Sequence, residues 1–296
     1  MRIFLTGASG FIGSAVTKEL LEAGHHVVGL ARSDEAAKAL TTAGAAVHRG
    51  SLDNLDSLRS GAAASDGVIH TAFIHDFSKF KENCETDRLA IEAIGSALAG
   101  SNRPLIVTSG TGLLHLGRPA TEADKPGGGS DAIPRVASEE AAAAVAAKGV
   151  RVAIVRLPPS VHGRGDHGFV PMLIAVARQK GVSAYIGEGR NRWPSVHRFD
   201  AAHLYRLAVE KAAQDAIYHG VADEGVATRD IAEVIGRHLN LPIVSKTAEE
   251  AAAHFGFIGH FFGADVPATS AETKKQLGWK PTQPGLIADL DEGHYF

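Results

Sequence analysis

Short runs of β-branched and apolar residues recur along the first half of the chain and alternate with segments of helical spacing. The runs that predict strands are Ile3–Leu5, His26–Leu30, Ala45–His48, Val68–Thr71, Leu105–Thr108 and Val150–Leu157. Between the first two, Ile12, Val16, Leu20 and Ala23 place one apolar stripe on a helix face. This alternation predicts an α/β fold with a doubly wound parallel sheet that helices cover on both sides.

The alternation loosens after about residue 160, where turn-rich pieces separate two predicted helices, Thr228–Leu239 and Ser270–Leu277. Ser270 is expected to be the N-cap of the second helix and Gly278 the residue just past its end. We therefore expect a smaller C-terminal substrate-binding domain after a dinucleotide-binding domain. The expected boundaries are 1–160 with about 196–222 for the dinucleotide-binding domain, and about 161–195 with 223–296 for the substrate-binding domain.

Composition and charge exclude several classes of protein. The 30 Lys and Arg residues against 33 Asp and Glu give a net charge of −3, which provides no attraction toward nucleic acid or an anionic membrane. Cys84 is the only cysteine, so a disulfide scaffold is excluded and a reducing compartment is expected. The N-terminal apolar run is far too short for a signal peptide, and no later run approaches the roughly 18 apolar residues of a membrane span. We expect a cytoplasmic protein whose partner is a small molecule.

A glycine-rich turn directly follows the first predicted strand and opens the first helix. Glycines in this context permit a tight turn, a close approach of backbone N–H groups to a pyrophosphate, and close packing of helix on strand. An ordinary glycine-rich turn is the alternative, but the surrounding strand, helix and second strand favour a Rossmann dinucleotide-binding unit. The cofactor residues expected from this turn are Thr6, Gly7, Ser9, Gly10, Phe11, Ile12 and Gly13.

The end of the second predicted strand bears on the choice between NAD and NADP. A ribose hydroxyl is bound by a carboxylate at this point, whereas a 2′-phosphate is bound by a cation. Arg32 offers a guanidinium fork and Ser33 a further hydroxyl. Asp34 is the counter-argument, although it also suits a helix cap. The pattern favours NADP.

With the glycine turn in place, the chain resembles the extended short-chain dehydrogenase/reductase family, which includes nucleotide-sugar epimerases and dehydratases. The likeness spans nearly the whole chain and rests on several motifs in the right order, ending with 196–200 and 277–281, which resemble substrate-domain signatures. It implies a homodimer. It also implies further cofactor contacts by Leu52 and Asp53 at the adenine, by Thr71, Ala72, Phe73 and Thr108 along the cofactor, and by Pro158 and Val161 at the nicotinamide.

The family's chemistry uses a tyrosine and, four residues later, a lysine that lowers the pKa of the phenol. This pair is absent. Tyr185, Tyr205 and Tyr218 are followed four residues later by Gly189, Val209 and Ala222, and Tyr295 stands next to the end of the chain. The resemblance therefore points to an atypical subgroup.

Arg135 and Glu139 occupy roughly the positions of the missing pair. Arginine cannot donate a proton at neutral pH, but it binds oxyanions and carboxylates. Two interpretations are equally favoured at this point. Either these residues take part in the site, or they form a surface ion pair one helical turn apart.

Other groups are candidates for the missing proton donor or for carbonyl activation. By motif position, Ser109 and Thr111 are expected to polarise a substrate carbonyl. His75, Arg135, His162 and Tyr185 are candidates for the group that supplies charge or a proton. His162 and His167 lack settled metal-ligand spacing, so no catalytic metal is expected.

Four phenylalanines within 254–262, together with Trp193, are consistent either with an apolar pocket or lid or with core packing. The leading hypothesis is an NADP-dependent oxidoreductase that reduces a small, fairly apolar carbonyl compound or activated double bond. The alternatives are a nucleotide-sugar epimerase or dehydratase and a cofactor-binding sensor without turnover.

Overall fold

A computed structural model describes residues 1–296 and contains twelve strands and twelve α-helices. The strands are β1 (Arg2–Thr6), β2 (His26–Ala31), β3 (Ala46–Arg49), β4 (Gly67–His70), β5 (Pro104–Gly110), β6 (Arg151–Leu157), β7 (Ser160–His162), β8 (Ser183–Ile186), β9 (Arg192–His197), β10 (Ala216–His219), β11 (Asp223–Ala227) and β12 (Ile243–Lys246). The helices are α1 (Phe11–Glu22), α2 (Asp34–Thr42), α3 (Leu55–Ala63), α4 (Phe80–Leu98), α5 (Ala137–Ala146), α6 (Phe169–Lys180), α7 (Arg198–Lys211), α8 (Thr228–Leu239), α9 (Ala248–Phe255), α10 (Ile258–Phe262), α11 (Ala271–Leu277) and α12 (Leu286–Asp291).

Seven parallel strands form the main sheet in the order β10-β6-β5-β4-β1-β2-β3. The predicted doubly wound α/β fold is thereby confirmed. The strand order reverses beside β1, which pairs with both β2 and β4. In such sheets ligands bind in the crevice at the carboxyl ends of the strands around this reversal. The loops that follow β1, β4 and β5 therefore define where a site is expected.

Both faces of the sheet are buried, which explains why its strands are continuous apolar runs. On β1, Ile3 and Leu5 pack into one core cluster, on the face that α1 and α7 cover, whereas Phe4 packs into the other, with residues of α3, α4 and α5. All three side chains are fully buried. A strand with one solvated face would instead alternate apolar and polar residues.

The C-terminal elements build a separate core. β7, β9 and β11 form a three-stranded sheet, and β8 pairs with β12 in parallel. Trp193, Ile231, Phe255 and Phe262 lie in the core cluster of these elements. The residue boundaries of the two domains remain a prediction.

The C-terminal helices agree with the predicted ranges, and both predicted end residues of α11 are confirmed. Gly278 ends α11 in the left-handed conformation, with φ +67°, as expected for a C-terminal glycine. Ser270 occupies the predicted N-cap position of α11, and its hydroxyl donates to the carbonyl of Val221 at 2.6 Å instead of capping the helix. No helix combines the length and apolar character that a membrane span requires.

Candidate active site

The turn between β1 and α1 is built so that only glycine fits at its two ends. Gly7 has φ +69°, and a Cβ there would lie 2.8 Å from the backbone nitrogen of Ala72. A Cβ at Gly13 would lie 2.0 Å from the carbonyl oxygen of Gly7. Gly10 occupies the N-cap position without a side-chain cap, so the first N–H groups of α1 stay available for an anion. The turn fits a dinucleotide pyrophosphate.

The loops after β1 and β4 are tied together beside this turn. Thr71 Oγ1 donates to the Thr6 carbonyl at 2.8 Å, and the Ala72 N–H donates to Thr6 Oγ1 at 3.2 Å. The predicted residues Thr6, Gly7, Thr71 and Ala72 therefore share the crevice at the strand reversal. Phe73 follows directly and is half-buried.

The end of β2 presents a free guanidinium. Arg32 is exposed, and Ser33 is the N-cap of α2, its hydroxyl accepting from the Ala36 N–H at 3.2 Å. Ser33 and not Asp34 is therefore the cap. Asp34 pairs with Arg49 at 2.6 Å, and Arg49 lies opposite Ala31 in the neighbouring strand. The carboxylate that argued for NAD thus already has a cation partner.

A buried chain of polar groups connects the turn to Arg135. Thr6 Oγ1 lies 2.8 Å from His70 Nδ1, and His70 Nε2 lies 2.9 Å from Asp87 Oδ1. The second oxygen of Asp87 accepts from Arg135 at 3.0 Å and from Ser138. Burial alone would raise the pKa of Asp87, but the Arg135 charge and the His70 hydrogen bond bring that pKa below its usual value. Asp87 is therefore an ionised counter-charge for Arg135.

Arg135 is held at the carboxyl end of β5. Its terminal nitrogens donate to Asp87, to Ser138 and, at 3.0 Å, to the Thr108 carbonyl. The guanidinium carbon lies 4.4 Å from the centre of the Phe73 ring. Nε has no protein acceptor, and 17% of the side chain is exposed. Arg135 therefore offers a fixed positive charge with a free donor at the carboxyl end of β5.

Glu139 has different partners. Both of its oxygens accept from Arg156 at 2.8 Å, and one also accepts from the Ser109 hydroxyl at 2.7 Å. Arg156 is fully buried. Burial raises the pKa of Glu139, yet the Arg156 hydrogen bonds and charge outweigh this effect and lower that pKa overall. The interpretation of Arg135 and Glu139 as a surface pair was wrong.

Three further predicted catalytic residues lie at or after the carboxyl ends of β4 and β5. Thr111 is fully buried, and its hydroxyl has no hydrogen-bond partner. His75 is exposed, and its ring lies 5.2 Å from that of Phe73. Ser109 is buried and its proton is engaged by Glu139. Of these groups, His75 alone is open to solvent.

His162 and Tyr185 lie apart from this group. His162 is fully buried, and its Nδ1 lies 2.9 Å from Asp289. Asp289 in turn accepts from the Tyr295 hydroxyl at 2.9 Å. Tyr185 lies on β8, where its ring faces the Arg229 guanidinium at 5.5 Å. The structure does not bring either residue to Arg135.

The remaining predicted cofactor residues differ in burial and contacts, and their role stays a prediction. Thr108 Oγ1 donates to the His70 carbonyl at 2.7 Å and lies 2.6 Å from the Tyr205 hydroxyl, whose pKa is raised by burial. Pro158 is buried and Val161 half-buried, on either side of the start of β7. The others are placed by burial, with Leu52, Phe11 and Ile12 half-buried and Asp53 and Ser9 exposed.

The C-terminal phenylalanines differ in depth. Phe255, Phe262 and Trp193 are buried in the C-terminal core. Phe261 is partly buried and packs at the edge of the same core, where its ring stacks on Phe169 at 5.1 Å, with ring planes 26° apart.

A bridge of rings joins this region to the loop after β4. Phe77 lies 5.2 Å from Phe257 and 5.9 Å from Phe261. Phe77 also stacks on Phe80 at 5.7 Å, and Phe80 lies 6.2 Å from Phe73. An apolar aromatic wall thus runs from the ring beneath Arg135 to the C-terminal helices.

Sequence reasoning missed His70, Asp87 and Arg156. One signal was present for Asp87, which interrupts the apolar stripe of Cys84, Ala90, Ile91 and Ile94 on α4. A carboxylate on a buried helix face requires a partner. Arg156 gives the same signal, because it lies inside the apolar run of β6.

The comparisons with known proteins agree with this geometry. The model of the NAD dependent epimerase/dehydratase family matches residues 3–96. An uncharacterized protein of Schizosaccharomyces pombe is 52% identical over 300 residues, covering 100% of each chain. A 4-hydroxy-2-methyl-3-oxo-4-farnesyl-3,4-dihydroquinoline-1-oxide ketoreductase of Stigmatella aurantiaca is 26% identical, over 86% of this chain and 80% of its own. Among solved structures, the dTDP-glucose 4,6-dehydratase of Streptomyces venezuelae, with NAD and TYD bound, superposes with a TM-score of 0.79 at 18% identity, covering 99% of this chain and 96% of that one.

Proposed function

Because the chain belongs to the NAD-dependent epimerase/dehydratase family of NAD(P)-dependent oxidoreductases, we propose that it is an NADP-dependent reductase of small, fairly apolar substrates. The reaction proposed is hydride transfer to a carbonyl compound or an activated double bond. The observation that carries this proposal is Arg135, a fixed cation with a free N–H at the end of β5. The ketoreductase relative supports a reduction.

The choice of NADP is supported by the charges at the ends of β2 and β3. Arg32 is exposed and free of a carboxylate partner, and Asp34 pairs with Arg49 at 2.6 Å. A 2′-phosphate placed there meets a guanidinium and the Ser33 hydroxyl. The ribose 2′-hydroxyl of NAD would form no comparable charged contact with Arg32.

The proposed chemistry follows because Arg135, a permanent cation, lies roughly where the family has its proton-donating tyrosine. Bound NADPH supplies the hydride. Arg135 stabilises the negative charge that develops on the substrate oxygen but delivers no proton. An enolate is a much weaker base than an alkoxide, so electrostatic stabilisation alone serves an α,β-unsaturated carbonyl better than a simple ketone. Hydride then adds to the β-carbon, Arg135 holds the enolate oxygen, and the α-carbon takes its proton from water.

The aromatic wall favours an apolar substrate body. Phe73 lies under Arg135, and Phe77, Phe257 and Phe261 continue the apolar surface toward the C-terminal helices. A planar conjugated substrate buries its faces against such rings while its oxygen meets the cation.

The test is the loss of NADPH absorbance with a panel of ketones, aldehydes and enones, for wild type, Arg135→Met and Arg135→Lys. We expect the methionine variant to lose 10²- to 10³-fold in kcat/KM, the size of the effect when one oxyanion donor is removed. NADPH affinity should stay unchanged in both variants. The lysine variant should recover part of the activity, since it keeps a charge beside Asp87.

The matched control is Arg118→Met. Arg118 also pairs with an aspartate, Asp124 at 2.7 Å, but lies on the surface, so its removal should leave turnover unchanged. Full activity of Arg135→Met contradicts the proposed role of the cation.

Two other functions give different results in the same assay. Tight NADPH binding without turnover of any panel member indicates a sensor. Conversion of a nucleotide sugar without net cofactor consumption indicates an epimerase, although the absent tyrosine and lysine argue against it.

A further inference from the structure

Arg198 is a half-buried cation beside the N-terminus of α1. It is the first residue of α7, and α7 packs alongside α1 so that Arg198 NH2 donates to Ser14 Oγ at 3.1 Å. The guanidinium carbon lies 4.7 Å from the centre of the Phe11 ring. Phe11 is the first residue of α1, directly after the glycine turn. The cation therefore lies against the expected anion site.

No carboxylate neutralises Arg198. NH1 donates to the Arg164 carbonyl at 3.1 Å, and Nε is buried without any hydrogen-bond partner. Arg206, two turns further along α7, shows the opposite situation, because it pairs with Glu19 at 2.7 Å and with Glu210 at 3.2 Å. Burial accordingly lowers the pKa of Arg198, whereas hydrogen bonds to Glu19 and Glu210 raise the pKa of Arg206 despite its burial. A buried donor without an acceptor costs free energy unless a ligand satisfies it.

The chain is shaped to keep Arg198 in this place. Gly163 has φ +133°, and a Cβ there would lie 2.7 Å from His197 Nε2 and 3.1 Å from Arg198 Cγ. This glycine allows the loop of residues 163–168 to close against Arg198. The same loop brings the His167 ring to 5.8 Å from Phe11. The loop and the cation thus flank the glycine turn together.

We propose that Arg198 binds the pyrophosphate of the dinucleotide, supplying from the flank the positive charge that the glycine turn lacks. The proposal rests on the proposed function only in requiring that a dinucleotide occupies the turn. It differs in kind from the role of Arg32, which concerns the 2′-phosphate alone. Arg198 should therefore serve NADPH and NADH equally.

Three ligands separate the two cations in titration calorimetry. NADPH carries both phosphate groups, NADH carries only the pyrophosphate, and 2′-AMP carries only the ribose phosphate. We expect Arg198→Met to weaken NADPH and NADH alike by about tenfold, equal to the 1.4 kcal/mol of one charge-assisted contact, and to leave 2′-AMP unchanged. Arg32→Ala should weaken NADPH and 2′-AMP and leave NADH unchanged.

Arg198→Lys keeps the charge and should recover part of the lost dinucleotide affinity. If Arg198 only joined α7 to α1 through its hydrogen bond to Ser14, no such recovery would be expected. Lys18→Met is the matched control, because Lys18 is an exposed cation on α1 whose ammonium pairs with Glu22 at 3.8 Å and lies 5.6 Å from the centre of the Phe199 ring. Thermal unfolding of each variant checks that it is folded.

Unchanged dinucleotide affinity in Arg198→Met overturns the inference, as does an equal loss of 2′-AMP binding or a lysine variant no better than methionine. These results leave the proposed function intact if wild type binds NADPH. Failure of wild type to bind NADPH overturns the proposed function itself.

Discussion

Replacing Glu139 by glutamine tests the buried ion pair beneath the site. Glutamine keeps the shape and one acceptor of the side chain but removes its charge. Fully buried Arg156 is left with two other partners, the Asp124 carbonyl at 2.8 Å and His219 Nε2 at 3.4 Å. Breaking a buried pair on one side costs about 3–5 kcal/mol, and the retained acceptor places this change near 3 kcal/mol. With a urea m-value of about 3 kcal/mol/M, the unfolding midpoint falls by about 1 M.

The assay is equilibrium urea unfolding followed by the fluorescence of Trp193 and Trp279, both of which are buried in the native protein. Glu140→Gln is the matched control. Glu140 is the next residue and pairs with Arg88 at 2.7 Å, but 38% of its side chain is exposed. Glutamine at this position keeps an acceptor for Ser130, whose N–H and hydroxyl donate to Glu140 at 2.9 and 2.7 Å. Solvent screens that pair, so its loss should cost about 1 kcal/mol or less. Equal effects of the two substitutions would show that the burial of Arg156 does not raise the cost of losing its partner.

The pH dependence gives a second check of the same pair. The pKa of Glu139 is lowered in the folded protein, so its stabilisation is fully present above the unfolded value of about 4.3 and is lost as pH falls below it. The stability gap between wild type and Glu139→Gln should therefore be constant from about pH 8 to 5 and shrink in more acidic solution. A gap that closes between pH 8 and 6 means that the carboxyl is not held as the partner of Arg156.

Three further predictions follow from the geometry. Gly13→Ala forces a Cβ to within 2.0 Å of the Gly7 carbonyl oxygen and should reduce NADPH affinity more than tenfold in calorimetry. A Cβ at Gly127 meets no atom within 4 Å, so Gly127→Ala should leave that affinity unchanged. Equal affinities of the two variants contradict binding at the glycine turn. Asp87→Asn leaves Arg135 without its counter-charge, so it should lower kcat and reduce the free energy of unfolding in urea by about 3 kcal/mol. Unchanged stability contradicts the role of Asp87 as the counter-charge of Arg135. Phe77→Ala should raise KM for a conjugated aromatic enone several-fold more than for a short aliphatic one, and a uniform effect argues against the aromatic wall.

The sheet was predictable because both of its faces are buried. A strand buried on both sides leaves an unbroken apolar run, and β2, β4 and β6 appear in the sequence within one residue of their observed bounds. The glycine turn was equally predictable from the sequence, since it depends on local backbone geometry alone.

The partners of the site residues were not predictable in the same way. Arg135 and Glu139 were identified by position, but their partners Asp87 and Arg156 lie 48 and 17 residues away in the chain. His162 was chosen for its place near the nicotinamide segment, and its burial against Asp289 depends on a contact 127 residues distant. Such pairs follow from tertiary packing, which no local pattern records.

The different burial of neighbouring phenylalanines has the same origin. Phe261 and Phe262 are neighbours on α10, yet Phe262 is buried within the C-terminal core, whereas Phe261 packs at its edge and also contacts Phe77. A helix of five residues is too short for periodicity to show which face is buried.

We propose that the crevice at the strand reversal binds NADP through the glycine turn and the guanidinium at the end of β2. Calorimetric titration of the wild-type protein with NADPH and with NADH under the same conditions tests this binding. We expect one site per chain and at least tenfold tighter binding of NADPH. Tighter binding of NADH, or no heat from either nucleotide, would contradict it.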